Sequence, residues 1–465
     1  MSNALLPGAQ IDGFTILQAL GTGSAAHLYR VSHPVHGEAL LMKTPRLGPD
    51  EPAFGVVSFE TECTLLPALR GPHVPRFVAS NPFSPLPYLV MELVRGRDLK
   101  QHIRPGGLPL PELTELGFAI ATAAHSLHRQ DAIHLDIKPD NLLLREDGDA
   151  VLIDYGFAHH ARYPDLFQEE SRLAVGSTPY MAPEQAAGIR DDPRSDQFAL
   201  GVTLYQLATG RLPFGIPATL AEVRSRSWTR PTPLRALRRD LPPWFQEIVF
   251  TCLEPEPERR YASCALVAQA LSHPDSVLLT ERATRMKRDG WFERLWRTWR
   301  HDPEPAKGRR AMPLSPSEQA QVAPLFMVAF DPNEPDETLQ RALRYAVVRI
   351  LQRDPESRLA CVALLETPAD GSGASASERQ HVYRIALHHW ARQLEIPEER
   401  LSLHVFESTD PAQRLLDYAR RNSVDALIVP APHDAPSAFR FNRSFLTRLV
   451  EQAPCSVHVV RPPQA

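Results

Sequence analysis

The spacing of apolar residues changes twice along this chain of 465 residues, a length at which two or more domains are expected. Residues 12–273 begin with short strand-like runs and turn to helical spacing from about residue 112. Residues 274–322 are charged, contain prolines and show no strand pattern, whereas residues 323–462 alternate apolar strands with helices. Strands separated by helices predict a parallel sheet with crossover connections. We therefore expect an antiparallel sheet with a helical remainder, then a linker, then an α/β domain.

Composition and charge narrow the class of protein. Hydrophobic residues make up 43% of the chain and its formal net charge is -4, which excludes a disordered chain and gives no basic field for nucleic acid. The five cysteines lack C-x-x-C spacing, which excludes a disulfide framework and a cysteine zinc site. No apolar run reaches the roughly 18 residues of a membrane span, and the first ten residues do not resemble a signal peptide. We expect a cytoplasmic protein with no nucleic-acid partner.

Three side chains that bear oxygen atoms stand out because they lie next to short apolar runs. Asp136 and Asn141 precede the run Leu142–Leu144, and Asp154 follows the run at 151–153. Carboxylate and amide oxygens hold Mg²⁺ on a nucleotide, and a carboxylate orients a hydroxyl that attacks phosphorus. Each of these residues alone would suit a turn or a helix cap. Their joint pattern indicates phosphoryl transfer.

Glycines and a lysine earlier in the chain suit the same chemistry. Gly21 and Gly23 lie between two strand-like runs, where a backbone without side chains can approach phosphate oxygens. Lys43 ends an apolar run, and burying a lysine is costly unless it binds an anion. Glu62, in the predicted helical stretch Phe59–Leu69, is the candidate partner. Taken singly, the glycines indicate a hairpin turn and the charges a solvated surface, but their order favours a nucleotide site.

In this order the motifs resemble those of the eukaryotic-like, bacterial-type serine/threonine protein kinases. The resemblance covers residues 12–273 and implies an α+β bilobal fold, with an antiparallel sheet and helix αC in the N-lobe and a mainly helical C-lobe. It also implies ATP with Mg²⁺ (or Mn²⁺), and a protein substrate with a serine or threonine acceptor, this chain itself included.

The resemblance assigns a role to each matching residue. Asp136 corresponds to the catalytic base and Lys138 to the residue that supports the γ-phosphate, and two residues correspond to metal ligands, Asn141 and Asp154. The ATP-binding positions are Leu20, Gly21, Gly23, Leu28, Lys43, Glu62, Met91, Glu92 and Val94. Structural or regulatory roles fall to Glu184 with its partner Arg260, to Asp196, which braces the catalytic loop, and to Ser177 and Thr178, one or the other of which provides a substrate-facing hydroxyl.

Three positions depart from the family pattern. Ala26 replaces the third loop glycine, Tyr155 replaces a phenylalanine, and Leu135 replaces the arginine that grips an activation-segment phosphate. Without that arginine, we expect activity to be independent of phosphorylation at Ser171, Ser177 and Thr178. The departures leave open a pseudokinase, a nucleotide-binding scaffold that signals by conformation only. The intact phosphate- and metal-contacting residues favour an active enzyme.

Residues 291–300 form an amphipathic pattern within the charged segment. At 100° per residue, one arc of about 140° contains the apolar side chains Trp291, Phe292, Leu295, Trp296 and Trp299. Outside this arc lie Arg294, Arg297 and Arg300. Docking on a flanking domain is the favoured interpretation, and peripheral contact of Trp291–Trp299 with an anionic membrane is the alternative. Residues 301–322 indicate a flexible linker.

Residues 325–462 resemble a universal stress protein domain, an α/β fold with a doubly wound parallel sheet. The resemblance rests on the segments 326–331, 425–429 and 453–460. ATP-binding members of that family carry a glycine-rich loop after the strand that matches 427–429, but here the loop contains three prolines and no glycine follows Gly373. Because prolines offer no backbone amide to a phosphate, we expect a regulatory or homodimerisation module rather than a second ATP site.

Overall fold

The structure is a computed structural model that describes residues 5–23, 26–47, 54–170, 176–287, 323–365, 376–431 and 443–462. The predicted amphipathic segment, the linker and Ser171 lie outside these residues. Among the helices in the described ranges, none is both long enough and apolar enough to cross a membrane.

An antiparallel sheet opens the first domain. Its strands are β1 (Gln10–Ile11), β2 (Phe14–Thr22), β3 (Ala26–His33), β4 (Gly37–Pro45), β5 (Phe77–Asn81) and β6 (Tyr88–Glu92), arranged in the order β1-β2-β3-β4-β6-β5. Helix α1 (Phe54–Leu65) connects β4 to β5. Side chains alternate along β4, so that Leu40 and Met42 enter the outer core while Leu41 packs on the opposite face. Lys43 shares the inner face with Leu41.

Helices dominate the remainder of the first domain. They are α2 (Leu110–His128), α3 (Leu166–Glu170), α4 (Pro183–Ala186), α5 (Arg194–Thr209), α6 (Leu220–Arg224), α7 (Leu234–Leu237), α8 (Pro243–Cys252), α9 (Cys264–Ser272) and α10 (Glu281–Thr284). Helix α5 is buried on nearly all sides, between α2 and α8. Its first turn carries Asp196, which this rigid packing holds in the centre of the domain.

Short strands position the polar residues of the predicted catalytic segment. These strands are β7 (Arg97–Asp98), β8 (Ala132–Ile133), β9 (Leu142–Leu144), β10 (Ala150–Leu152) and β11 (His159–His160). Strands β9 and β10 form an antiparallel hairpin, and β8 pairs with β11. The backbone N–H of Ile153 donates to the carbonyl of Asn141 at 3.0 Å. Asn141 and Asp154 therefore lie at the same end of the hairpin.

The second domain is built on a parallel sheet. Its strands are β12 (Leu325–Phe330), β13 (Arg358–Leu365), β14 (Leu401–Glu407), β15 (Ala426–Pro430) and β16 (Ser456–Val460), in the order β14-β13-β12-β15-β16. The helices are α11 (Glu337–Leu351), α12 (Ala376–Arg392), α13 (Pro411–Arg421) and α14 (Arg443–Gln452). Two apolar cores cover the two faces of the sheet, which explains the nearly continuous apolar runs of its central strands. The predicted fold class is confirmed in both domains.

Candidate active site

Lys43 lies between two carboxylates in the first domain. Its Nζ is 2.5 Å from Oε2 of Glu62 on α1 and 2.7 Å from Oδ1 of Asp154, which follows β10. The second oxygen of Glu62 accepts a hydrogen bond from the backbone N–H of Tyr155 at 3.3 Å. Glu62 therefore joins the sheet, the helix and the segment after β10 in one network.

Charge keeps Lys43 and Asp154 ionised. Burial acts to lower the pKa of Lys43, but Asp154 and Glu62 together raise it well above its ordinary value. Burial acts to raise the pKa of Asp154, whereas the charge and hydrogen bond of Lys43, with a further contribution from Lys138, hold it below its usual range. A permanent cation next to an ionised carboxylate suits a site for polyphosphate and a divalent metal ion.

Close packing of α1 against the segment after Asp154 leaves no room for a Cβ at Gly156 unless Ser58 moves. A Cβ added to Gly156 would lie 2.0 Å from Oγ of Ser58 and 3.2 Å from the carbonyl oxygen of Ser58. Asp154 itself has a left-handed backbone, with φ at 66°. A non-glycine residue in this region costs of order 1–3 kcal/mol and is typical of functional sites.

Asp136 is fixed by hydrogen bonds to both of its carboxylate oxygens. Oδ2 accepts from Nζ of Lys138 at 2.7 Å and from Nδ2 of Asn141 at 2.8 Å. Oδ1 accepts from the backbone N–H of Ser177 at 2.7 Å. Lys138 also donates to Oγ of Ser177 at 2.5 Å. A serine hydroxyl and the predicted catalytic base thus share one lysine.

Asp196 holds the loop that carries Asp136. The backbone N–H groups of His134 and Leu135 donate to its two oxygens at 2.9 and 2.8 Å, and Nε2 of His128 lies 2.8 Å from Oδ2. Leu135 has a left-handed backbone, with φ at 60°, so the loop needs such support. Burial acts to raise the pKa of Asp196, but its bond to His128 holds that pKa below the usual range.

The predicted pair of Glu184 and Arg260 is formed. The guanidinium donates to both carboxylate oxygens, at 2.6 and 2.8 Å, and its side chain is fully buried. Ser195 Oγ donates to the same carboxylate at 2.7 Å, and the guanidinium lies 5.1 Å from the ring centre of Phe198. These contacts fix α4, which carries Glu184, against α5.

The remaining predicted ATP-binding residues surround Lys43. Gly21 pairs with Leu28 across the β2–β3 hairpin, and Leu28 in turn pairs with Lys43 across β3–β4. Gly23 closes this hairpin through a 2.8 Å bond from its N–H to the carbonyl of Ala26. On the other side Met91 is buried on β6, which ends at Glu92, while Val94 is partly exposed and Leu20 is exposed.

Three further residues support the site and were not predicted from the sequence. His128 binds Asp196, and Gln185 donates from Nε2 to the carbonyl of Leu135 at 2.9 Å. The buried guanidinium of Arg226 donates to the carbonyls of Thr178 and Met181. Burial lowers the pKa of Arg226 to about 10. No local pattern marks such residues, because each acts on a group that is distant in the sequence.

The donor set suits a metal ion held jointly by protein and nucleotide. Within the described ranges, no group of three or more His, Cys, Asp or Glu side chains could hold a metal ion. Both amide hydrogens of Asn141 are used on Asp136, which leaves its amide oxygen available, and Asp154 keeps one carboxylate oxygen besides that bound by Lys43. Mg²⁺ is usually bound by one or two such oxygens together with phosphate oxygens and water.

Comparison with family models decides the family. The model for the protein kinase domain matches residues 14–274, and that for the universal stress protein family matches residues 326–461. The chain belongs to the protein kinase domain family. Its C-terminal part is a universal stress protein domain, as the sequence predicted.

Relatives of the kinase domain are bacterial. The chain is 25% identical over 261 residues to a probable serine/threonine-protein kinase of Clostridium acetobutylicum, covering 56% of this chain and 39% of that protein. It is 29% identical over 276 residues to the serine/threonine-protein kinase PknF of Mycobacterium tuberculosis, covering 58% of each. It is 30% identical over 280 residues to the serine/threonine-protein kinase pkn2 of Myxococcus xanthus, covering 58% of this chain and 33% of that protein. The chain therefore spans between one third and three fifths of the length of these relatives.

A solved structure also matches the kinase domain. The crystal structure of the Mycobacterium tuberculosis PknI kinase domain covers 58% of this chain and 99% of its own, at 26% identity and a TM-score of 0.46.

Proposed function

We propose that this protein is an ATP- and Mg²⁺-dependent serine/threonine protein kinase that phosphorylates protein hydroxyls, its own included, in stress signalling. Two side-chain arrangements that are formed at the same time support the proposal. Lys43 is bound to Glu62 and Asp154, and Asp136 is held by Lys138 and Asn141. Together the two arrangements support a site that binds phosphate next to a base.

In the proposed reaction, the chain's residues position ATP and the acceptor. Lys43 binds the α- and β-phosphates, while Asn141 and Asp154 hold the metal ion. When bound, Mg²⁺ neutralises negative charge on the phosphates. Asp136 orients the acceptor hydroxyl for in-line attack and takes its proton as the new oxygen–phosphorus bond forms. The bond between the γ-phosphorus and the bridging oxygen breaks, which leaves ADP, and Lys138 stabilises the charge on the transferred group.

The position of Ser177 favours a protein hydroxyl as the acceptor of the phosphate. Its Oγ shares the ammonium of Lys138 with Asp136, so a hydroxyl is already accommodated next to the proposed base. The neighbouring Thr178 is held through its backbone carbonyl by Arg226 at 2.7 Å. We propose that Ser177 and Thr178 orient the substrate, and that activity is independent of their phosphorylation because Leu135 offers no charge to grip a phosphate.

Transfer of labelled γ-phosphate from ATP and Mg²⁺ to the full-length protein and to a generic basic substrate tests the proposal. Asp136→Asn should reduce transfer by orders of magnitude, since it removes the base at nearly constant shape. Asp140→Asn is the matched control, because Asp140 lies in the same loop but pairs with the exposed Lys100 at 2.6 Å. Equal transfer by the two variants would contradict the proposed base. Nucleotide binding without transfer by the wild type would favour the scaffold function instead.

We also propose that the universal stress protein domain regulates the kinase or joins two copies of the chain. Strand β16 is one of the two edge strands of the described sheet, and Val459 on it is 40% exposed. An exposed apolar edge strand is a suitable surface for pairing with a second copy. Light scattering should show a dimer that Val459→Arg dissociates. A monomer at all concentrations would leave regulation as the role of the domain.

We propose that the kinase is cytoplasmic and that its residues 291–300 dock on a flanking domain. Membrane contact through Trp291–Trp299 is the competing outcome. Co-sedimentation of the full-length chain with anionic liposomes separates the two, when compared with a charge-reversed variant at Arg294, Arg297 and Arg300. Binding that the reversal abolishes would establish the membrane contact, because anionic lipids attract such arginines.

A further inference from the structure

The universal stress protein domain contacts the kinase domain at α1, at α3 and at the loop between β5 and β6. Arg384 on α12 pairs with Glu60 on α1. Nearby, the ring of His388 stacks on Phe83 at 3.9 Å, and Nε2 of His381 lies 2.8 Å from the carbonyl of Ser84. The domain therefore lies directly behind the helix that carries Glu62.

Arg384 joins three elements at once. Its side chain is 2% exposed, and its guanidinium donates to Glu60, to Oε1 of Glu170 at 2.6 Å and to the carbonyl of Leu403 on β14 at 3.0 Å. Burial acts to lower the pKa of Arg384, but Glu60 and Glu170 raise it, so the group remains a cation. Removing one partner from such a buried pair leaves an uncompensated charge.

Helix α3 contributes a second carboxylate to the same surface. Glu169 pairs with Arg358, and its Oε2 lies 2.9 Å from Nε2 of His404 and 3.0 Å from the hydroxyl of Tyr418. The other ring nitrogen of His404 lies 3.2 Å from Glu170. Two consecutive glutamates, in the segment that follows Asp154, are thus enclosed by cations and donors of the second domain.

The cations that hold this segment do not come from the loop that carries Asp136. Leu135 stands where the family has the arginine that holds a phosphorylated activation segment. Here the segment carries the permanent carboxylates of Glu169 and Glu170, and the cations come from the second domain. A carboxylate needs no phosphorylation to bind an arginine, so the contact is formed as soon as the two domains dock.

We infer that Arg384 is a positioning residue for the kinase site, and that the docked universal stress protein domain activates the kinase by holding α1 and α3 in place. The inference rests on the proposed function. The direction of the effect follows from linkage. The contacts of Arg384 are formed in the conformation in which Lys43 is bound to Glu62 and would be lost if α1 moved away, so they favour that conformation over one with α1 displaced. A variant that lacks them releases α1.

Phosphate transfer by the full-length chain tests the inference, with Arg384→Gln, Arg384→Lys and Arg392→Gln compared with the wild type. Arg384→Gln should lower the transfer rate about tenfold or more, and Arg384→Lys should restore part of it, since lysine keeps the charge but not the two-pronged geometry. Arg392 is the matched control because it is exposed on the same helix. Its variant should transfer phosphate at the wild-type rate.

A variant on the kinase side of the pair and a measurement of hydrogen exchange provide a second test. Glu60→Gln removes the same pair from the kinase side, without altering the core of the second domain, and should slow transfer to a similar extent. Hydrogen exchange of residues 54–65 should accelerate in Glu60→Gln and Arg384→Gln but not in Arg392→Gln. Wild-type rates and wild-type exchange in both variants would overturn the inference. Absence of transfer by the wild type would refute the proposed function and the activation that rests on it, while the exchange of α1 would still decide whether Arg384 holds this helix.

Discussion

Glu60 and Glu62 lie two residues apart on α1 and bind cations that belong to different domains. Glu62 binds Lys43 of the kinase sheet, and Glu60 binds Arg384 of the universal stress protein domain. At 100° per residue the two side chains point about 200° apart, to opposite sides of the helix. Helix α1 is therefore held from both sides, and a movement towards either side breaks one of the two pairs.

Glu62→Gln should reduce kcat/KM for ATP by about 10- to 100-fold. A hydrogen bond to a charged group contributes about 1.5–3 kcal/mol, and the variant removes the charge that orients Lys43 towards the phosphates. Steady-state kinetics at varied ATP concentration would measure the effect. Glu146→Gln is the control, since Glu146 is exposed and should have wild-type kinetics. Wild-type kinetics in Glu62→Gln would show that the pair has no part in catalysis.

Arg260→Met should destabilise the kinase domain by about 3–5 kcal/mol, because Glu184 would remain buried without its cation. Arg259→Met is a control one residue away, where the side chain is 69% exposed and pairs with the exposed Glu256. Thermal melting of both variants would show a large decrease in Tm for the first and little change for the second. Equal melting temperatures would mean that Glu184 finds another partner or becomes hydrated.

The strands, and the hairpin that brings Asn141 and Asp154 to one end, could be predicted because their patterns are local. Alternating apolar residues define β4, and continuous apolar runs define the central strands of the parallel sheet. The helix of Glu62 was predicted less well: it spans Phe54–Leu65, followed by a 3₁₀ turn at Leu66–Ala68, rather than Phe59–Leu69. Residues 55–63 are buried on all faces, so the helix lacks the amphipathic spacing that would have marked its start.

Contacts between the two domains could not be predicted in the same way. Arg384 lies within a polar helix, and the sequence of that helix is the same whether an arginine meets water or a carboxylate. The pair Glu169 and Glu170 equally suits a solvated turn. Their meeting depends on the relative placement of two folded domains, which no local pattern contains. The contact of Arg260 was easier to predict, because its partner Glu184 belongs to a recognisable motif.

The contact between the domains should weaken as the pH rises. His404 on β14 faces two carboxylates of α3, those of Glu169 and Glu170. The neighbouring groups of its own domain are Tyr418, Arg358 and Arg384. Burial acts to lower the pKa of His404, but the two glutamates raise it above the ordinary 6.5. Protonated His404 therefore stabilises the docked state fully at a pH below this ordinary pKa. The stabilisation is lost as the pH rises through the raised pKa.

Thermal melting of the wild type and of His404→Gln between about pH 6 and about pH 9 would test this dependence. The wild type should have the higher Tm near pH 6, and the difference should shrink at alkaline pH. The pKa of Glu169 is held down at about 2 by His404 and Arg358 against the effect of burial, so Glu169 stays ionised throughout this range. A constant difference in Tm would show that His404 does not titrate at the contact.

Gly156→Ala should slow phosphate transfer about tenfold or more, because the added Cβ would lie 2.0 Å from Oγ of Ser58 and would push α1 away from Asp154. Overpacking of this kind costs about 1–3 kcal/mol. The backbone of Gly156 is not among those in the left-handed region, so collision rather than backbone strain causes the effect.

Ser58→Ala provides the matching rescue. It removes Oγ, after which the nearest atoms to the new Cβ are the carbonyl oxygen and Cβ of residue 58, at 3.2 and 3.3 Å. Transfer by the double variant should therefore recover most of the loss, while Ser58→Ala alone should behave like the wild type. A double variant as slow as Gly156→Ala would assign the effect to the backbone of the 154–156 segment. It would contradict the view that the distance between α1 and this segment sets the geometry of Lys43 and Glu62.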